Sequence, residues 1–281
     1  MPPSLPFIVA VFAAPAAELP TELWQVAPDA KNKPGWLNNP RTKDRAVLML
    51  PGLKMHLLRP SLSTRPELHN WQEPTSELVH VLAKDFDVFA FGCAQTIPLD
   101  AVAHSPGLRA AVANLKSAGY KEIVLIGHSA GGVIARLFAE NYPDSGITKV
   151  VTVAAPHAGA ELANIKVGYS KAQAAFIQSL APDWRAEAGI SRKLPEKIEM
   201  ACVVCKVKRI DGDGLVSLVS QWPEECRKQG IPAVFAPINH WDAMLNPASA
   251  KAIGELAREK LTRWTPEEAE RARKLLFRDA E

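Results

Sequence analysis

Six short apolar runs set the strongest constraint on how this chain can fold. AVLML (46–50), FDVFAF (86–91), EIVLIG (122–127), KVVTVAA (149–155), ACVVCKV (201–207) and PAVFAPI (232–238) each span five to seven residues with little polar alternation. Such runs read as strands buried on both faces, because a strand with one solvated face alternates. Between most of them lie stretches with helical spacing. PGLRAAVANLKSAG places Leu108, Ala111, Val112 and Leu115 on one stripe, opens with Pro106 and closes with Gly119, the proline start and glycine stop of a helix. The same logic predicts helices near 74–84, 130–141 and 248–264. Strands alternating with helices imply right-handed crossovers and a mostly parallel sheet with helices on both faces, an α/β architecture. Loops that follow the strands then gather at one sheet edge, where ligands of such folds bind.

Three regions stand outside the alternation. Residues 21–45, rich in Pro, Asn, Lys and Trp, read as an opening segment on the surface with a short edge strand. Residues 160–199 separate two core strands and contain YSKAQAAFIQSL, in which Tyr169, Gln173, Phe176, Ile177 and Leu180 share a helical face. This insertion is the expected small helical cap. The tail, 265–281, reads as a charged surface helix capped by Thr265 ahead of Pro and Glu.

Residues 1–20 hold an apolar stretch followed by Ala14, Pro15 and Ala16, a pattern that fits a secretory signal although no Lys or Arg precedes it. The expectation is an exported protein, with a cytoplasmic chain as the alternative. The stretch is far shorter than the roughly 20 apolar residues of a spanning helix. At 47% hydrophobic and 22% charged, the 281 residues suit one globular domain, read as a monomer, and exclude a disordered or fibrous chain. A net charge of +3 spread among mixed signs lacks the concentrated basic face that nucleic acid requires. Cys93, Cys202, Cys205 and Cys226 permit disulfides without requiring them. CVVC (202–205) has the spacing of half a zinc site, but residues three apart on a strand face opposite sides, so buried strand cysteines and no metal are expected.

Chemistry enters with IGHSAGG (126–132), which follows one strand run and opens a helix. Its GxSxG core suits a sharp strand-to-helix turn that lifts the hydroxyl of Ser129 above the sheet edge. A serine hydroxyl needs a base to take its proton and an acid to orient that base. APINHWDAML supplies His240 after the last strand run, and KRIDGDGLVS supplies Asp211 and Asp213 after the one before it. The order Ser, Asp, His is that of the α/β-hydrolase triad. A tetrahedral intermediate also needs backbone donors. Ala130 would present one N–H, and Leu53, in the PGL turn after the first run, the other.

With LPG, GHSAGG, APHAGA, DGDGLV and NHWDAM in place, the chain resembles the α/β-hydrolase superfamily near its lipase and esterase branch. The resemblance covers most of residues 46–264 and implies the α/β-hydrolase fold with a cap at about 160–199. It implies Asp213 as the acid, since DGLV is similar to the acid turn of lipases, with Asp211 as the alternative. It places His157, in PHAG, near the substrate pocket, to which Trp71, Phe176 and Leu180 are assigned as apolar lining. The implied activity is hydrolysis of a small-molecule or lipid carboxylic ester through an acyl-enzyme, with no cofactor. Thioesterase, amidase or lipid acyltransferase activity on the same triad stays open, as does a non-catalytic binding protein on this scaffold.

Overall fold

The computed structural model describes residues 18–30, 40–56, 59–164, 170–189 and 193–277. Nearly all of the expected signal, and Tyr169 of the expected cap face, lie outside the described residues. The strands are β1 (Thr21–Val26), β2 (Arg45–Leu50), β3 (Asp87–Cys93), β4 (Glu122–His128), β5 (Ile147–Val153), β6 (Glu199–Cys205) and β7 (Ala233–Ala236). They form one sheet in the order β1-β3-β2-β4-β5-β6-β7. All neighbours are parallel except β1, the edge strand of the opening segment, which runs antiparallel to β3.

Each apolar run became a strand, with boundaries moved for local reasons. KVVTVAA stops pairing at Val153 because Ala154 takes a left-handed φ of 51°. PAVFAPI keeps only Ala233–Ala236, since the flanking Pro232 and Pro237 have no N–H to give the ladder. The last predicted helix runs Pro247–Arg258 rather than to 264, because Glu259 adopts an extended conformation (φ −73°, ψ 152°). The tail helix, Pro266–Leu276, starts from Thr265 in a capping box with Glu268.

Alternation of side chains across the pleat divides the core in two. Leu48, Leu50, Phe89 and Leu125 face the helices Pro106–Ser117 and Ala130–Asn141. Val47, Met49, Val88 and Val124 face Glu77–Leu82 and Pro247–Arg258. Cys202 and Cys205 fall on opposite faces by the same rule, and all four cysteines are buried and free. Among the described residues no helix is long and apolar enough to cross a membrane.

The insertion between β5 and β6 folds as the short helices Ala174–Gln178 and Pro182–Gly189 with 3-10 turns at Glu161–Asn164 and Lys171–Gln173. Tertiary ties hold it down: Leu99 N donates to Ser179 Oγ at 2.9 Å, and Arg185 pairs with Asp100. Strand order reverses at β2, which lies between β3 and β4. The crevice at such a reversal is where an α/β sheet binds ligands. Here it brings the loop after β2 against the loop after β4.

Candidate active site

Ser129 alone connects β4 to the helix Ala130–Asn141, and it does so at φ 52°, ψ −126°. A non-glycine residue pays about 1–3 kcal/mol for so sparse a conformation and keeps it only when the surroundings impose it. They do: Ser129 N donates to Val153 O at 2.9 Å, and Gly132 N to Ser129 O at 2.9 Å. The glycines of the motif are steric necessities. A Cβ on Gly127 would lie 2.3 Å from Gly131 O, and one on Gly131 would lie 2.2 Å from Leu50 O. GHSAG is therefore the sequence that lets the helix start one residue after the strand, with Ser129 at the bend.

His240 and Asp213 come from the loops after β7 and β6. His240 Nδ1 lies 2.8 Å from Asp213 Oδ2. Asp213 is fully buried, and its other oxygen accepts the N–H groups of Leu215 (2.9 Å) and Val216 (2.8 Å). A carboxylate with only acceptor capacity makes Nδ1 the protonated ring nitrogen and leaves Nε2 as the acceptor. A further bond, His240 N to Asp213 O at 3.1 Å, ties the two backbones. Asp211 makes no such pair; its Oδ1 accepts Leu218 N at 3.3 Å. Asp242 stands at the start of a 3-10 turn, where it pairs with Asn239.

A second histidine adjoins this pair. His128 Nε2 lies 3.1 Å from His240 O, and the two rings are 4.8 Å apart. Burial, with the neighbouring His240, holds His128 well below the usual imidazole range, so it stays neutral and donates to the His240 carbonyl. Trp71 stands edge-on to His128 at 6.2 Å. His69 is pushed down to about 4, first by burial and then by the charge of Lys54. The sequence singled out neither imidazole for the site; His69 follows no strand and matches no motif.

Ser129 and His240 line one cavity of about 710 Å³. Its walls are largely apolar, lined by Leu53, Trp71, Ile177, Leu180 and Leu215 together with the polar His69 and Lys54. Trp71 and Leu180 line this cavity, and His157 and Phe176 are not among its lining residues. Phe176 is fully buried and turned into the core beneath the sheet-covering helices. His157 is drawn inward, its Nε2 3.2 Å from Thr152 Oγ1 and its backbone N–H bonded to Ser220 O.

The turn after β2 approaches the serine as closely as a backbone can. A Cβ on Gly52 would lie 2.9 Å from Ser129 Cβ. Leu53, next in the chain, lines the cavity, and Ala130 follows the serine. Among the described residues, neither the Leu53 nor the Ala130 N–H enters a backbone hydrogen bond of the turns, loops and caps. Gln95 and Gln173, both buried, grip this turn from outside, and the sequence carried no signal for either. Among the described residues no group of three or more His, Cys, Asp or Glu could hold a metal ion.

Residues 109–188, which contain Ser129, match a family described as the PGAP1-like alpha/beta domain. No curated protein sequence matches the chain. Solved structures do. Mature lipase BlEst2 from Bacillus licheniformis superposes with a TM-score of 0.61 at 10% identity, over 84% of this chain and 97% of that one. The metagenomic carboxyl esterase MGS0156 gives 0.55 at 16% identity over 84% of each chain. Phospholipase PlaB from Legionella pneumophila gives 0.54 at 12% identity over 84% of this chain and 63% of that one. The sheet order, the crossovers and these likenesses together make this the α/β-hydrolase fold.

Proposed function

We propose that the protein is a serine hydrolase acting on carboxylic esters through an acyl-enzyme. The observation that carries this reading is the convergence of Ser129, held in a strained bend, and His240, paired at 2.8 Å with buried Asp213, on one cavity. In this mechanism Ser129 Oγ attacks the acyl carbon while His240 Nε2 takes its proton. The carbonyl π electrons move to oxygen, and the Leu53 and Ala130 N–H groups bind that oxyanion. Collapse breaks the bond to the leaving alkoxide, which receives the proton from His240. Water then repeats the sequence on the acyl-enzyme and releases the acid and Ser129. Asp213 holds the imidazole in the required tautomer and stabilises its cationic form.

The cavity volume of about 710 Å³ falls within the range of small-molecule sites, about 300–1,000 Å³. Met55, Leu162, Trp241 and Leu245 line it and are also exposed, which gives the mouth an apolar rim. An ester with an apolar acyl or alkyl group suits this lining better than a charged one. The test is turnover of p-nitrophenyl esters of graded acyl length. Wild type should hydrolyse medium or long chains with a higher kcat/KM than acetate, and Ser129→Ala should lose activity by about 1,000-fold or more. Equal turnover by wild type and Ser129→Ala would refute the mechanism.

A further inference from the structure

We infer that Gln95 is the positioning residue for the Leu53 oxyanion donor, an inference that rests on the hydrolase reading above. The Gly52–Leu53 peptide is planar and trans, so the Gly52 C=O and the Leu53 N–H point to opposite sides of the chain. Whatever holds the carbonyl therefore aims the amide. Gln95 Nε2 donates to Gly52 O at 2.7 Å. The same side chain accepts Lys54 N at 2.9 Å through Oε1. One buried amide thus spans the peptides on either side of Leu53 and directs the Leu53 N–H away from itself. The partners fix the orientation of this amide, since a backbone carbonyl only accepts and a backbone N–H only donates.

The turn needs such a holder. Glycine has the softest backbone of any residue, so the chain at Gly52 does not choose the direction of the following peptide by itself. A larger residue is excluded by the 2.9 Å approach of a Cβ to Ser129 Cβ. If the peptide flipped, the Leu53 N–H would turn away and the Gly52 carbonyl oxygen would take its side, repelling the developing oxyanion instead of binding it. A flip would break the 2.7 Å bond from Gln95 in a buried site, as well as the bond between His69 and the Gly52 backbone, so these ties oppose it. Gln173, brought in by the cap, adds a second tie: its Nε2 donates to Lys54 O at 2.9 Å and reaches Gln95 Oε1 at 3.4 Å. The cap is thereby joined to the donor turn.

The experiment compares wild type with Gln95→Glu and Gln95→Met in the full chain. Glutamate is nearly isosteric and still accepts from Lys54 N–H, but it sets an oxygen against the Gly52 carbonyl; methionine removes both bonds. Three quantities are read on the best p-nitrophenyl ester: kcat, KM, and inhibition by phenylboronic acid, whose boron takes a lone pair of Ser129 Oγ to form a tetrahedral boronate while the hydroxyl proton passes to His240 Nε2. Removing an oxyanion donor costs about 100- to 1,000-fold, and misaiming one should lower kcat by roughly 10- to 100-fold. KM should stay within about threefold while boronate affinity falls alongside kcat, the split expected of a group that acts only in the transition state. A full kcat in both variants, or a rise in KM alone, would overturn the inference. Should both variants fail to fold by circular dichroism, Gln95→Asn, which keeps the amide but shortens its reach to Gly52 O, carries the same test: a lower kcat at constant KM supports it, and an unchanged kcat overturns it. Failure of the underlying reading looks different, because Ser129→Ala would then retain activity. Failure of this inference alone leaves Ser129→Ala inactive and Gln95→Glu at full kcat.

Discussion

Asp211 and Asp213 stand two residues apart in one loop, with the same chemistry and the same position relative to β6. Their surroundings separate them. Asp213 is fully buried, meets His240 at 2.8 Å and has its second oxygen filled by two backbone N–H groups. Among the described residues Asp211 accepts one backbone N–H, that of Leu218 at the start of the Leu218–Gln221 helix. Asp213→Asn should therefore reduce kcat by about 10,000-fold through the wrong imidazole tautomer, whereas Asp211→Asn should stay within about threefold in steady-state ester hydrolysis. The opposite ranking would move the acid role to Asp211. At this scale the sequence exposed Ser129, His240 and the two aspartates because each follows an apolar run. Gln95 and Gln173 were hidden because their importance lies in which backbone atoms they meet, a matter of tertiary distance that no local pattern records.

Among the elements, the strand–turn–helix around Ser129 is the most tightly specified. Gly131 packs against the end of β2, and its missing Cβ leaves room for Leu50 O. Gly131→Ala should push the helix off the sheet edge, lowering ester turnover by roughly 100-fold or more while leaving a folded protein by circular dichroism, since misplacement by about 1 Å is enough to cost that much. Normal turnover in the alanine variant would show that the bend tolerates displacement. The strands were legible because continuous apolar runs leave no solvated face. The cap was legible only as an interruption. Its short helices are held by Ser179 and Arg185 reaching to other segments, so Phe176, on the face expected to meet substrate, turned into the core.

For the molecule as a whole, two imidazoles at the site held below their ordinary range link its integrity to pH. His69 is held at about 4 against an ordinary 6.5, chiefly by burial, and His128 lies well below that ordinary value for the same reason. A folded value below the unfolded one means that the unfolded chain binds the extra proton as pH falls from 6.5 towards 4. Stability is then complete above about 6.5 and declines on acidification, by on the order of 3 kcal/mol for His69. The urea midpoint should fall between pH 7 and 4.5, and His69→Gln should flatten that fall; a midpoint that rises on acidification would contradict the sign. The sequence could place these histidines on the chain but not beside the cavity.

The whole account turns on a single nucleophile activated by a distant histidine, and labelling with an alkyl fluorophosphonate tests that most directly. Ser129 Oγ should displace fluoride from phosphorus, and peptide mass mapping should find the phosphonate on Ser129 alone. Labelling should vanish in Ser129→Ala and slow by at least about 100-fold in His240→Ala. A phosphonate carried by another residue, or full-rate labelling of Ser129 without His240, would contradict the account.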